Sequence, residues 1–482
     1  MVTAAPQSAL AGPEIGYQTL DRELSIETLS IEGNLPPWLS GSLLRNGPAL
    51  FEDRERSVRH WFDGQAMLHR FTIADGRVSY ANRFLRTKAY EAMRSGRLSF
   101  SEFATDPCRS IFKRVMTVFD PQVTDNTFVN VTRLGEQHYA MTEAPMSVQF
   151  DPHTLETLGY SERLPGTFAT AHPHRDPASG ALINLATRMG PVNSYRFFIQ
   201  VPGARPRVLA SKGARRPGYV HSFAMSERYI ALTEFPFIVN SIEIPLSGKP
   251  FIENFRWEPE RGTRIVVFDR HSGAGVGEYE TVPGFAFHHV GAWEEGDKLV
   301  MEYCDHESPG VIAAFYLDRL RAPNPSRDRA QVPSRLRRVT IDLTSKEVST
   351  EYRCEHAIEL PRINEQARYL RPYRYVYGLA TGPDSSYDTA DRLVKVDNET
   401  GDATVWSEHA AYVGEPVFVS SPNPRGEDDG VILSVVLDGA QGESYLLVLD
   451  AATMTELARA RAPHVIPHGI HGAFYPATAG RD

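Results

Sequence analysis

A short pattern recurs along this 482-residue chain and restricts its fold more than any other feature: two apolar residues at alternate positions, an aspartate next, then a polar turn. It stands at Val148-Gln149-Phe150-Asp151, Val266-Val267-Phe268-Asp269, Val339-Thr340-Ile341-Asp342, Val394-Lys395-Val396-Asp397 and Leu447-Val448-Leu449-Asp450. Such alternation suits a half-buried strand, and Asp favours the turn that ends it. The clearest hairpin runs Leu393–Val396, turns over Asp397–Gly401 and returns along Thr404–Trp406. The five aspartates lie 118, 73, 55 and 53 residues apart. The last three intervals each suit one four-stranded blade and the first suits two, which is the spacing of a β-propeller. Any other all-β fold with Asp-containing hairpin turns gives the same cue. The stretch Thr87–Val118 is different: Tyr90, Met93, Leu98, Phe100, Phe103, Ile111, Phe112 and Val115 fall at mixed spacing, as in a partly helical segment outside the blades.

Composition narrows the function classes. Hydrophobic residues at 41% and charged residues at 23% exclude a disordered or collagen-like chain. The 36 glycines and 34 prolines lean toward many turns and short strands. A formal charge of −9 argues against a nucleic-acid binder. Cys108, Cys304 and Cys354 are too few and too far apart for a disulfide framework or a zinc finger, so a reducing, cytoplasmic compartment is expected. The stretch Met1–Pro13 lacks the basic and apolar regions of a signal peptide, and no apolar run is long enough to span a bilayer.

Sixteen histidines are more than a chain of this size needs. Four stand among aromatic or small apolar neighbours: His172 in Ala171-His172-Pro173-His174, His221 in Tyr219-Val220-His221-Ser222-Phe223, His288 in Phe285-Ala286-Phe287-His288-His289, and His471 in Ile470-His471-Gly472-Ala473-Phe474. That setting implies burial, and a buried imidazole needs a partner. Singly, each reads as a hydrogen-bonded core histidine; together, on separate strands, they can converge on a metal. No HExxH helix is present, and imidazole donors alone leave Fe, Zn, Cu and Ni open. Metal-bound histidines usually donate their second ring N–H to a carboxylate. Glu143, Glu359 and Glu415 lie in equally apolar surroundings, although each alone is as readily a salt-bridge partner.

These segments resemble the carotenoid cleavage oxygenases, a family of non-haem iron enzymes, from about residue 20 to the C-terminus. The resemblance rests on Arg45-Asn46-Gly47-Pro48, Trp61-Phe62-Asp63-Gly64 before Met67-Leu68-His69, Ala171-His172-Pro173-His174 before Asp176-Pro177, and Phe287-His288-His289. It continues through Glu359-Leu360-Pro361-Arg362-Ile363-Asn364, Arg374-Tyr375-Val376-Tyr377, Gly414-Glu415-Pro416, Glu427-Asp428-Asp429-Gly430 and His471-Gly472. The resemblance implies an all-β fold: a seven-bladed propeller over residues 20–482, after an N-terminal extension (1–19), with a helical and loop cap over its top face carrying a substrate tunnel. It implies Fe(II) held by His172, His221, His288 and His471, with Glu143, Glu359 and Glu415 orienting His221, His288 and His471. His172 has no glutamate in this scheme, and His174, His289 and His468 are neighbours with structural roles. Three glutamates against a dipositive ion give a local charge of −1. Four protein ligands leave an octahedral ion two free positions. Thr127 falls near such a position, where its role is either to control it or simply to be a strand residue. Phe62, Tyr219 and Phe287 match tunnel-lining positions. Relatives commonly read Phe-Asp-Gly-Asp-Gly-Met where this chain has Phe62-Asp63-Gly64-Gln65-Ala66-Met67, so a local difference in the turn is expected there.

The implied reaction is scission of a C=C bond by O₂ into two carbonyl products. Stilbene-cleaving relatives carry a lysine where this chain has Thr142, so a carotenoid or apocarotenoid substrate is favoured, with central 15,15′ cleavage to retinal-type products. Stilbene cleavage and O₂-independent retinoid isomerisation are the alternatives, and a non-catalytic, partner-binding propeller is a fourth reading. An apolar polyene calls for a peripheral position on a membrane surface, with Leu98–Phe119 and Phe235–Val239 as candidate contact segments.

Overall fold

A computed structural model describes residues 12–97, 102–105, 123–322, 333–383, 385 and 387–477. Among them, seven antiparallel sheets of four to six strands form the blades of a β-propeller. Blade I holds Leu24–Ile26, Gly41–Leu50, Gln65–Ala74, Arg77–Phe84 and the C-terminal Gly472–Pro476. Blades II to VI follow in chain order from Asn130, Phe168, Ala224, His289 and Glu359. Blade VII holds Ala411–Val413, Val417–Ser420, Gly430–Asp438, Glu443–Asp450, Glu456–Ala462 and the N-terminal Ser30–Gly33.

The Asp-ended pattern marks the third strand from the axis in blades II, IV, V, VI and VII. Each aspartate opens the same turn. Its carbonyl accepts from the backbone N–H four residues on (Leu155, Gly273, Lys346, Gly401 and Met454), at 2.8–2.9 Å. All five of those residues have φ between +59° and +80°. The carboxylates of Asp151, Asp269, Asp342 and Asp450 accept further N–H groups inside the turn, which explains why Asp recurs. The long first interval contains blade III, whose third strand, Asn193–Gln200, lacks the pattern.

Burial follows position in the blade. Strands near the axis are covered on both faces by neighbouring blades, so Gly430–Asp438, second from the axis in blade VII, is almost continuously apolar. Its alternate residues serve opposite gaps: Val431 and Leu433 pack toward blade I, and Ile432 and Val436 toward blade VI. The outermost strand Gly275–Thr281 is largely exposed. Two seams close the ring. Gly472–Pro476 pairs with Gly41–Leu50, Arg45 opposite Gly472, and Ser30–Gly33 pairs with Glu456–Ala462.

Several expectations need correction. Phe235–Val239 is no surface patch: Phe235, Ile238 and Val239 are each 2% exposed, and Phe237–Ile238 pairs with Arg256–Trp257. An insertion between the second and third strands of blade IV covers this apolar run. Most of Leu98–Phe119 (98–101 and 106–119) lies outside the described residues. Upstream of it, Lys88–Arg94 forms the helix expected in part of Thr87–Val118, and the Thr87 hydroxyl accepts from the Tyr90 N–H. Within the expected N-terminal extension, Pro13–Tyr17 is a buried 3-10 turn whose Gly16 carbonyl accepts from His468 N–H. Ala66 has no positive φ and continues the strand Gln65–Ala74, so replacing the usual glycine causes no strain. The cap is built mostly of loops, with short helices such as Ile244–Ser247, Gly310–Ala314 and Leu317–Leu320.

Leu446, fully buried between blades VII and I, tests this packing. Leu446→Ala is expected to cost about 2–5 kcal/mol and to lower Tm clearly. Val405→Ala on the exposed outer strand Ala403–Ser407 should change stability by no more than ~0.5 kcal/mol. Equal Tm values for the two variants would contradict this account.

Candidate metal centre

Every blade sends one residue to the axis. His172 interrupts the inner strand of blade III, between Phe168–Ala169 and His174–Arg175. His221 precedes the inner strand of blade IV, His288 that of blade V, and His471 the closing strand of blade I. Glu143 follows the second strand of blade II, Glu359 begins the inner strand of blade VI, and Glu415 sits in the break of the inner strand of blade VII.

The four imidazoles meet, with one nitrogen from each lying within 4.8 Å of the others. His172 Nε2 and His221 Nε2 are 3.0 Å apart, and His288 Nε2 and His471 Nε2 are 3.1 Å apart. Behind them, His221 Nδ1 lies 2.6 Å from Glu143 Oε1, His288 Nδ1 2.6 Å from Glu359 Oε2, and His471 Nδ1 2.7 Å from Glu415 Oε1. The histidines next in sequence turn elsewhere. His174 bonds the Phe223 carbonyl and Tyr369 hydroxyl, His289 bonds Ser222 and Thr233, and His468 bonds the Pro13 carbonyl.

The protonation pattern decides what this cluster fits. A carboxylate only accepts, so each Nδ1 facing one carries the proton and leaves a lone pair on Nε2. Burial keeps three of the rings neutral: it holds His172 below the ordinary imidazole range, and it holds His288 below that range and His471 down at about 3 against the opposing pull of Glu359 and Glu415. His288 and His471 therefore aim lone pairs at each other across 3.1 Å, which is no hydrogen bond. A cation between them turns that repulsion into coordination. All four donors are imidazoles, so the set suits a borderline transition metal.

The three carboxylates differ in their other partners. Glu143 accepts from the Tyr219 hydroxyl at 2.8 Å. Glu359 also takes His306 Nε2 at 3.0 Å. Glu415 is bound by Arg45 Nη1 at 2.6 Å, Arg362 Nε at 2.9 Å and Gly472 N–H at 2.9 Å. Burial alone would raise the pKa of Glu415, but Arg362, His471 and Arg45 together hold it well below the usual carboxylate range. The two arginines also correct the expected local charge: a dipositive ion, three glutamates and two guanidinium groups sum to +1, not −1. His306 and the roles of both arginines escaped the sequence reading. His306 stands between Asp305 and Glu307, so its sequence setting gave no sign of burial.

An aromatic cavity of about 550 Å³ opens beside His221 and His288, and Phe62, Tyr219 and Phe287 line it, as do Phe103, Phe128 and Phe315. Thr142, in the position of the stilbene-type lysine, lines it too. Thr127 is fully buried, and its hydroxyl has no partner among the described residues. Its carbonyl accepts from Asn46, whose own N–H bonds the His471 carbonyl. Thr127 is not among the residues lining the cavity.

Residues 17–476 match the protein family described as retinal pigment epithelial membrane protein. The chain belongs to this family of carotenoid oxygenases. It is 32% identical over 480 residues to the carotenoid isomerooxygenase of Galleria mellonella, covering 93% of each chain. It is 31% identical over 518 residues to the beta,beta-carotene 15,15'-dioxygenase of Mus musculus, covering 95% of this chain and 91% of the mouse protein. The crystal structure of cobalt-substituted Synechocystis apocarotenoid oxygenase matches with a TM-score of 0.84 at 25% identity, over 96% of this chain and 98% of that one.

The carotenoid oxygenase frame here rests on histidines that stay neutral. His60, His174 and His468 are held at about 4, and His69, His289 and His471 at about 3, all chiefly by burial. An unfolded imidazole titrates near 6.5. The folded values lie below the unfolded ones, so the unfolded chain binds more protons as pH falls. Stability is therefore full above about pH 6.5 and declines as pH drops from there toward the folded values. The depressed carboxyls of Glu359 and Glu415 add loss of the same sign at still lower pH. Tm measured from pH 7.5 down to 4.5 should fall steadily below about 6.5; a flat profile would contradict the buried neutral histidines.

Proposed function

We propose that this protein is an Fe(II) dioxygenase that cleaves a C=C bond of a carotenoid or apocarotenoid into two carbonyl products. The observation that carries the reading is the meeting of four imidazoles, two with lone pairs opposed, beside an aromatic cavity. His172, His221, His288 and His471 would hold the ion, and Glu143, Glu359 and Glu415 would fix three of the rings. When bound, the ion supplies the unpaired electrons that let dioxygen react with a closed-shell polyene.

The chain's own residues do the rest. Phe62, Phe287 and Phe103 present ring faces and edges at centroid spacings of 5.4–6.2 Å, which suits a flat conjugated chain and excludes water. Tyr219 holds Glu143 by its hydroxyl and so sets the plane of His221 from the substrate side. Of the two roles open to Thr127, the reading takes the one beside a free position of the ion; its buried hydroxyl, which has no partner among the described residues, supports that choice. The name of the mouse relative supports central 15,15′ cleavage with retinal-type products. Thr142 leaves no ammonium group next to Glu143 for a stilbene phenol, which favours a carotenoid over that alternative.

Purified enzyme loaded anaerobically with Fe(II) and given an apocarotenoid is expected to take up one O₂ per polyene and release two carbonyl products, identified by mass spectrometry. His172→Ala or His471→Ala should lose stoichiometric iron. Turnover without O₂ uptake would indicate the isomerase alternative, and full iron content in either variant would overturn the ligand assignment.

The reading includes a lipid surface as the source of substrate. Met189, Pro191, Ile242, Ile244, Pro245 and Lys249 line one end of the cavity, and around it Val192, Ile242 and Leu246 are 60–70% exposed. Such an exposed apolar group beside Lys249 suits an interfacial contact, which replaces the contact expected of Phe235–Val239. Wild type is expected to float with anionic phospholipid vesicles, and a combined Val192→Ser, Ile242→Ser and Leu246→Ser variant to stay largely in the soluble fraction. Equal flotation of both would remove these residues from the contact.

A further inference from the structure

An imidazole beside the metal centre has no role in the chemistry above. His306 is 5% exposed and lines the cavity. Its Nε2 lies 3.0 Å from Glu359 Oε1, and its Nδ1 is buried with no partner among the described residues. A buried ring nitrogen left unpaired costs free energy that an apolar side chain in the same place would not. The ring stands against Phe285 and Phe287 at centroid distances of 6.4 and 5.9 Å, a setting that packing alone would complete with another hydrocarbon. What the imidazole adds there is the bond to Glu359.

We infer that His306 is a positioning residue of the metal centre, which locks the Glu359 carboxylate in the plane that keeps the His288 lone pair on the axis. The inference rests on the four-histidine metal reading and extends it to a residue that touches neither metal nor substrate. Three features of the geometry support it. The two carboxylate oxygens are divided: Oε2 faces His288 Nδ1 at 2.6 Å, and Oε1 faces His306 Nε2. A carboxylate only accepts, so each of these nitrogens carries the proton of its bond. A carboxylate held at one oxygen still turns about its Cγ–Cδ bond, and donors on both oxygens stop that rotation. Both imidazoles also come from one paired piece of blade V. The backbones of Phe285 and His306 bond each other at 2.9 and 2.6 Å, and the Cys304 N–H reaches the His288 carbonyl at 2.9 Å. Backbone pairing therefore sets the spacing of the two donors independently of Glu359, which belongs to blade VI. Finally, Leu360 has φ +47°, in the left-handed region that leucine rarely adopts, and its N–H bonds the same Oε2 as His288. Strain of this kind persists where the surroundings over-determine it; here it brings a third donor to the carboxylate. Glu143, by contrast, takes both His221 and Tyr219 on Oε1.

The test reads metal binding rather than turnover. His306→Gln keeps an N–H donor toward Glu359, whereas His306→Phe and His306→Leu replace it with an apolar side chain. The full-length apoprotein is titrated anaerobically with Fe(II), and with Co(II) for its visible d–d absorption, at a temperature where every variant is folded. His306→Phe and His306→Leu are expected to raise Kd for Fe(II) about tenfold and to shift the Co(II) bands, because the His288 ring is then free to tilt. His306→Gln should stay within about threefold of wild type, with wild-type bands. In a Glu359→Gln background, His306→Phe should add less than about threefold, since the carboxylate through which His306 acts is already gone. Unchanged Kd and Co(II) bands in the Phe and Leu variants, even with a lowered Tm, would reduce His306 to a structural residue and overturn the inference. So would losses that add to those of Glu359→Gln, equal losses in the Gln and Phe variants, or failure of both apolar variants to fold. Absence of stoichiometric metal in wild type would instead strike the four-histidine reading itself.

Discussion

The antiparallel pairing of Gly472–Pro476 with Gly41–Leu50 is the constraint on which both the ring and the metal centre depend. Its last rung sets Arg45 opposite Gly472. From that rung, His471 turns its ring to the axis, and the Gly472 N–H and the Arg45 guanidinium both reach Glu415, the carboxylate that orients His471. One of the two closing pairings therefore also delivers the fourth imidazole and fixes the anion behind it. The other three histidines lie on blades III, IV and V and gain their partner only when the chain's two ends meet.

A ring of seven blades suits a seven-residue centre because each inner edge can carry a single side chain to the axis without any blade being distorted. The arrangement is not symmetric, however. Glu143 shares its charge with a tyrosine hydroxyl, Glu359 with a second imidazole, and Glu415 with two guanidinium groups. A carboxylate neutralised by two cations draws less on the Nδ1 proton facing it, so His471 is the least electron-rich of the three supported imidazoles. The electronic difference among chemically identical ligands thus comes from groups two bonds removed, supplied by blades I and VI.

What could be read from the sequence was local. The Asp-ended strands were legible because the aspartate, its turn and the left-handed residue four positions on form one self-contained unit, repeated in five blades. The histidines were legible because an apolar setting on both sides of an imidazole marks burial. Groups whose role arises from distant contact left no such mark. Arg45 meets Glu415 across 370 residues of sequence, and His306 reaches Glu359 from between two acids. Phe235–Val239 was misread for the same reason: five apolar residues in a row look alike on a surface and under an insertion, and the strand Arg256–Trp257 that covers them follows nearly twenty residues later.

Burial serves two ends at the axis that are usually in conflict. It keeps the cavity dry, and it holds His172, His288 and His471 neutral so that their lone pairs stay free for a cation. The price is that polar groups in the same dry space must be paired or neutral. Tyr219 meets this demand by bonding Glu143, and Glu359 by taking two imidazoles. Asp63, buried on the other side of Phe62, accepts from Ala104 and Thr105 and is pushed by burial to about 7.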